Sequence, residues 1–267
     1  MSRALLLSTG LILLSPFAAF ADGKHPTSDA KPWSQADDIW GEEAMAKSRS
    51  MVLSHNGAQR FWMFSADRLE LQSSDEEDMF VFDGDIWYGG DLNKLWIKTE
   101  GEYGFDEEEF EEADIQLLWS RAVSPFWDFQ TGLRYDFAPR GETYAVAGFQ
   151  GTAPYQIETD AALFLSSNGD LTGALEAEYE FMLTQRLELS PRLELGWSAQ
   201  EIESRETGEG FTDAAIGLRL SYDIEREFSP YIGVEWQGAL GETRDMIEAE
   251  GEDADATVFV IGIRAWY

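Results

Sequence analysis

Cysteine is absent, histidine occurs twice, and lysine plus arginine number 19 against 51 aspartates and glutamates. Without cysteine there is neither a disulfide framework nor a thiolate metal centre. A formal net charge of −32 removes the basic surface that nucleic-acid phosphates require, so nucleic acid is excluded as a partner. The two histidines, His25 and His55, precede the regular part of the chain. Ser-His or Asp-His chemistry needs an imidazole at the site, and no G-x-S-x-G element occurs, so catalysis is not expected. Long apolar runs are nearly absent as well. After residue 21 none approaches the ~20 residues that a membrane-spanning helix needs.

The single early run, Ala4 to Phe17 behind Arg3, leads into Ala19-Phe20-Ala21. A short basic region, an apolar stretch and a small-residue exit read as a signal peptide over residues 1–21 rather than an anchor helix. The expected mature chain starts at Asp22. Residues 22–58 carry scattered charge, Pro26 and Pro32, with room for a short helix near Ile39 to Arg49 capped by Asp37 or Asp38. This segment reads as periplasmic or plug-like.

From residue 59 onward the chain alternates. Leu187, Leu189, Leu193, Leu195 and Trp197 interleave with Arg186, Glu188, Arg192 and Glu194, and Leu175, Ala177, Tyr179 and Phe181 with Glu176, Glu178 and Glu180. Period two over ten or more residues is a strand whose faces meet different solvents. A dry core could not hold Glu176, Glu178 and Glu180 side by side, so the polar face is wet. Twelve such segments are expected, at about 59–71, 79–88, 93–104, 112–122, 127–137, 143–151, 156–166, 171–183, 186–197, 212–224, 230–240 and 256–267; the first and sixth alternate weakly. Short turns such as Gly89 to Leu92 take turns with longer acidic loops such as Ser198 to Phe211. The last strand ends on Tyr267, with Ala265, Ile263, Ile261 and Phe259 on the same face. The expected fold is therefore all-β: an antiparallel transmembrane barrel of about twelve strands over residues 59–267, in a bacterial outer membrane, behind a short irregular N-terminal segment. A soluble sandwich or an eight-stranded lipocalin-like barrel would need a dry interior.

With the apolar parity turned to lipid, seventeen acids and seven bases fall on the inner face. Glu100, Glu102, Glu176, Glu178, Glu180 and Asp213 are the lumen acids singled out as candidate cation ligands. A cation-conducting path and a salt-bridge filling both fit this composition. The acid runs of the loops, such as Asp75 to Asp78 and Glu248 to Asp255, fit either solvated loops or binding of the divalent ions that bridge lipopolysaccharide. Tryptophans near strand ends, Trp87 and Trp96 among them, together with Tyr231, are expected in the interfacial girdle.

Specific residues go further. Asp83-Gly84-Asp85-Ile86-Trp87-Tyr88-Gly89-Gly90-Asp91-Leu92-Asn93-Lys94-Leu95-Trp96 resembles the copper resistance protein B family (CopB/PcoB). So do Asp67-Arg68-Leu69-Glu70, Leu118-Trp119-Ser120-Arg121, Gly148-Phe149-Gln150-Gly151 and Glu227-Phe228-Ser229-Pro230-Tyr231. The resemblance covers about residues 59–267. It implies an outer-membrane barrel that helps a bacterium handle excess copper ions alongside a periplasmic multicopper oxidase. Members typically carry a Met/His-rich stretch before the barrel; here that region holds only His25, Met45, Met51, His55 and Met63. Met45, Met51 and His55 are the candidate soft copper site, with packing on a plug or helix as the alternative. The leading expectation is copper binding or export through an acidic lumen. The alternatives are a general cation-selective pore and a structural barrel that docks the oxidase.

Overall fold

A strand with one apolar and one polar face satisfies both, and all of its backbone groups, when its ladder closes on itself. The computed structural model describes residues 34–56, 59–74, 78–106 and 108–267. The expected signal peptide over 1–21, His25 and the loop acids Asp75, Glu76, Glu77 and Glu107 lie outside the described residues. The chain falls into two units that divide between Gly57 and Ala58.

In the first unit, α1 (Asp37–Trp40) and α2 (Glu42–Asn56) follow one another across Gly41, whose φ of 84° turns the chain. Both helices start with acids, Asp37, Asp38, Glu42 and Glu43, which suit the positive end of a helix dipole. Asp37 does not cap α1. It takes a two-pronged contact from Arg49 instead, at 2.6 and 3.2 Å. The described part of this segment is thus more helical than its sequence suggests.

The second unit is the barrel. Its strands are β1 (Phe61–Ser73), β2 (Asp78–Gly89), β3 (Asn93–Gly104), β4 (Glu109–Ala122), β5 (Trp127–Ala138), β6 (Glu142–Ala153), β7 (Ile157–Ser166), β8 (Leu171–Glu178), β9 (Phe181–Met182), β10 (Leu187–Ser198), β11 (Gly210–Tyr222), β12 (Phe228–Ala239) and β13 (Asp255–Trp266). Both β8 and the short β9 pair with β10, so together they make one stave and the barrel has twelve. Each stave runs antiparallel to its neighbours, and β13 returns to β1 from Ser65↔Trp266 to Ser73↔Phe259. Closure leaves no edge. Leu117, Leu133, Leu163, Ile216, Ile232 and Ile261 are exposed on the outer surface, while Arg68, Glu70, Asp114, Arg192, Arg219 and Glu235 are buried inside. That is an inverted globule, fit for hydrocarbon outside and water within.

Two local departures explain the weakly alternating segments. In β1 the pairing with β2 slips between Ala66 and Arg68, a bulge that inserts Asp67. Ser65 and Asp67 face the lumen before it, and Arg68, Glu70 and Gln72 after it, so parity changes mid-strand. In β6 the inward residues are themselves apolar. Tyr144 and Val146 pack with Leu118 of β4 and Phe164 of β7 into a small dry cluster on the inner wall. One patch of the lumen is therefore apolar, where the expected wall was polar throughout.

The termini of the barrel, Phe61 and Trp266, lie at the end of the short turns. The opposite end carries the longer connections, including α3 (Gly241–Glu250) between β12 and β13, which packs against β11 and β12.

Candidate functional site

Strand register sets the acids in rows. Asp83 of β2 pairs with Glu100 of β3, Glu100 with Asp114 of β4, and Asp114 with Asp136 of β5. On another arc of the wall Asp160 of β7 pairs with Glu176 of β8, and Glu176 with Glu194 of β10. Partners across a ladder share a face, so each row puts like charges side by side, a destabilising arrangement without counter-ions. Arginines supply them. Arg134 lies 3.6, 3.1 and 2.6 Å from Glu100, Asp114 and Asp136. Arg192 lies 3.0, 2.7 and 3.9 Å from Glu176, Glu194 and Asp83. Arg264 takes Glu178 and Glu180 at 2.6 and 3.3 Å, and Lys98 takes Asp160.

The most buried charged side chain among the described residues is Glu70, at 0% exposure. Its carboxylate accepts hydrogen bonds from Arg68 (2.8 Å), Gln72 (2.9 Å), Arg219 (2.9 and 3.1 Å) and the Tyr231 hydroxyl (2.9 Å). Arg219 also bonds Glu235 at 2.9 Å. Tyr231 can reach across because Gly262 stands between: a Cβ there would come within 2.5 Å of the Tyr231 ring and 2.7 Å of Glu70 Cβ. Gly262→Val is therefore expected to lower the unfolding free energy by about 1–3 kcal/mol through overpacking. Urea titration of the refolded barrel measures it, and an unchanged midpoint would contradict the close approach.

Two cavities occupy the lumen. The larger, about 730 Å³, opens toward the short-turn end beside Phe126, Glu180 and Trp266, and ten carboxylates line it against three bases. The smaller, about 370 Å³, sits toward the long loops, with eight carboxylates and four bases. Asp83, Glu100, Glu176 and Arg192, with Phe164 and Ala174, line both, so they form the waist between the cavities. Of the acids singled out from sequence, Glu100 and Glu176 stand at this waist. Glu178 and Glu180 face the larger cavity, and Glu102 and Asp213 the smaller.

Trp87, Trp96 and Tyr231 do not belong to a lipid-facing girdle. Trp87 and Trp96 line the larger cavity, 6.0 Å apart, with the Lys94 ammonium 5.3 and 5.6 Å from their rings and Trp96 Nε1 donating to Asp85 at 2.9 Å. They lie on the same parity as Asp83, Asp85, Lys94 and Lys98. The residues at alternate positions thus placed them inside, and only their aromatic type argued otherwise. Trp119 and Tyr88, on the opposite parity, are exposed outward.

Met45, Met51 and His55 all lie on α2, in the other unit. Met51 and His55 are one turn apart, and the His55 Nδ1–H donates to the Met51 carbonyl at 2.8 Å. That bond puts the ring proton on Nδ1 and the ring's lone pair on Nε2. Met45 is half-buried and sits about a third of a turn round the helix from Met51, roughly 9 Å along its axis. The helix alone therefore brings together two of the three residues. Among the described residues no group of three His, Cys, Asp or Glu side chains has metal-holding geometry.

Several lumen residues escaped the sequence reading: Asp67, Arg68 and Glu70 in β1, Glu112 in β4, and Arg205 in the β10–β11 loop. Arg68, Glu70 and Gln72 do alternate with Leu69 and Leu71, a signal hidden by the bulge before them. Arg205 is the one base between Ala199 and Glu209, in a loop that carries four glutamates.

The family described as copper resistance protein B precursor (CopB) matches over residues 60–267. Copper resistance protein B of Escherichia coli is 45% identical over 202 residues, 75% of this chain and 68% of that protein. A copper resistance protein B homolog of Pseudomonas syringae pv. tomato is 33% identical over 279 residues, 98% of this chain and 94% of that protein. Among solved structures, the NanC porin in its rhombohedral crystal form aligns with 77% of this chain and 99% of its own. Its TM-score is 0.50 at 8% identity, a likeness of fold alone. The closed barrel with these relatives sets the chain in the bacterial outer membrane, and the relatives support a role in copper resistance.

Proposed function

This chain belongs to the copper resistance protein B family, and from that premise we propose that it serves copper resistance by drawing copper ions into its acidic lumen, holding or exporting them without catalysis. The observation that carries this reading is the larger cavity, with its ten carboxylates against three bases. Low-dielectric walls focus such a charge excess and concentrate cations within it. Its lining offers mostly oxygen donors and one thioether, Met63, a set that suits Cu(II) better than Cu(I). Met51 and His55 on α2 offer a softer pair for an ion arriving from the periplasm, where a multicopper oxidase is the proposed partner.

A strain that lacks the gene is expected to lose copper tolerance, and unchanged tolerance would remove the copper role. Cu(II) titration of the refolded full chain places the ions. A Met45/Met51/His55 triple alanine variant is expected to keep most of the binding, and an Asp67→Asn/Asp85→Asn/Glu158→Gln variant to lose it. The opposite result would move the site to α2.

A second reading is a cation-selective pore without metal preference, which the excess of carboxylates over bases in both cavities also fits. It is separated from the first by equal permeation of K⁺ and Cu(II). Oxidase docking would show as a periplasmic protein that copurifies with the full chain and is lost when residues 22–58 are removed. Divalent ions bridging the acidic loops to lipopolysaccharide are the proposed lipid contact.

A further inference from the structure

The loop between β10 and β11 folds into the barrel. Ser198 Oγ donates to the Gln200 carbonyl at 2.6 Å, and Gln200 Nε2 donates to Asp170 of the neighbouring loop at 3.1 Å. Ile202 and Thr207 then pair by backbone bonds of 2.8 and 3.3 Å and close a tight excursion over Glu203–Arg205, which Glu206 ends at a φ of 54°. Its base is pinned outside, where the Gly208 and Glu209 amides donate to the Thr243 hydroxyl (2.9 Å) and the Glu242 carboxylate (3.2 Å) of α3. The excursion itself points inward: Ile202 is buried, and Ile202, Arg205 and Thr207 line the smaller cavity.

Arg205 makes this possible. Its guanidinium meets Asp136 of β5 at 2.7 Å and Glu142 of β6 at 3.8 Å, and it lies 5.3 Å from the centre of the Tyr144 ring. Tyr144 in turn donates to Glu142 at 3.0 Å, so the two carboxylates and the ring form one cation-accepting face. The rest of the loop carries Glu201, Glu203, Glu206 and Glu209. These glutamates stay exposed and line neither cavity, so Arg205 is the one charge that the loop brings to the acidic lumen wall, where the attraction is favourable.

We propose that Arg205 is a tethered cation that occupies the acid-and-aromatic face of the long-loop cavity, making residues 199–209 a strap that incoming divalent cations displace. This rests on reading the lumen as a cation route and adds its regulation: the strap yields as cation concentration rises, because the entering ion competes with Arg205 for Asp136 and Glu142. Arg134 stays on Asp136 at 2.6 Å in either case, so the barrel wall keeps a partner when the strap leaves.

The chain has no native cysteine, so Ile202→Cys places a single thiol on the buried part of the strap. In the full chain, refolded in lipid, a membrane-impermeant maleimide is expected to label it slowly. Adding Arg205→Ala is expected to raise the labelling rate about tenfold, the equivalent of about 1.4 kcal/mol, and Arg205→Lys to restore most of the protection. Millimolar Mn²⁺, which spares thiols, is expected to speed labelling of the protein that retains Arg205 and leave the Arg205→Ala variant unchanged. Equal labelling rates with and without the Arg205→Ala substitution would overturn the strap, and no response to Mn²⁺ would overturn its displacement by cations. Neither readout depends on copper tolerance or conductance, so the failure of the strap and of the copper reading are told apart.

Discussion

Replacing Glu70 by leucine is expected to destabilise the barrel by about 3–5 kcal/mol, the typical cost of breaking a buried ion pair by removing one partner. Two arginines, a glutamine and a tyrosine hydroxyl converge on this carboxylate, and none of its surface is exposed. Leucine fills much the same volume, so the loss would come from the donors rather than from a void. The unfolded chain hydrates Arg68 and Arg219; in the folded variant each would lose one of its carboxylates, Arg219 keeping Glu235 and Arg68 keeping Glu194, while both stay in a low-dielectric wall. Removing Arg219 with its charge should undo much of this. The double variant Glu70→Leu/Arg219→Met is expected to lose less than the sum of its singles, with a coupling of about 2 kcal/mol, because Arg68 remains 3.2 Å from Glu194 and 4.0 Å from Glu235. Urea unfolding of the refolded proteins reads all three values. Additive losses would mean that the Glu70 cluster holds no more than independent hydrogen bonds.

That cluster also shows where sequence stops being readable. Period-two alternation identified the staves, their number and the wet face, because a lipid-facing row tolerates few charges wherever it occurs. It could not see past the Asp67 bulge, since one inserted residue exchanges the faces of everything after it. Nor could it tell an apolar side chain facing lipid from one facing a dry patch of lumen: Leu118, Tyr144, Val146 and Phe164 satisfy either solvent. Trp96 is a similar case, read as interfacial from its type although its strand parity put it beside Lys94 and Lys98. The position of Arg205 was out of reach for a different reason. A loop has no period, and the contact to Asp136 spans sixty-nine residues. On α2, helical geometry separates Met45 from the Met51–His55 pair, which residue counting alone had grouped.

The charge excess of the lumen has its own quantitative consequence. Much of the acid is already matched, Glu176 by Arg192, Glu178 by Arg264 and Asp160 by Lys98. Asp67 and Asp85 instead share a neutral donor, the single Ser65 hydroxyl proton, with Oγ 3.1 and 2.6 Å away, and Trp96 Nε1 donates to Asp85 at 2.9 Å. Glu158 meets no base at ion-pair distance among the described residues, though it lines the same cavity. These three groups have no base at ion-pair distance among the described residues, and Arg264, Arg192 and Lys98 act on them only from farther away. An ion on the cavity axis roughly 7 Å from each feels about 0.6 kcal/mol per carboxylate in water-like dielectric, halved by screening near 0.1 M salt. Three of them favour a cation by about 0.9 kcal/mol and disfavour an anion by the same amount. Asp67→Asn/Asp85→Asn/Glu158→Gln is therefore expected to reduce the K⁺/Cl⁻ permeability ratio by an order of magnitude or more in planar-bilayer reversal potentials taken across a KCl gradient. The control is Asp128→Asn with Lys94→Gln, which removes a pair whose members bridge only each other among the described residues, at 3.0 Å, and should shift the ratio far less. If the control moved the reversal potential as far as the triple variant, these three carboxylates would not be the ones that set selectivity.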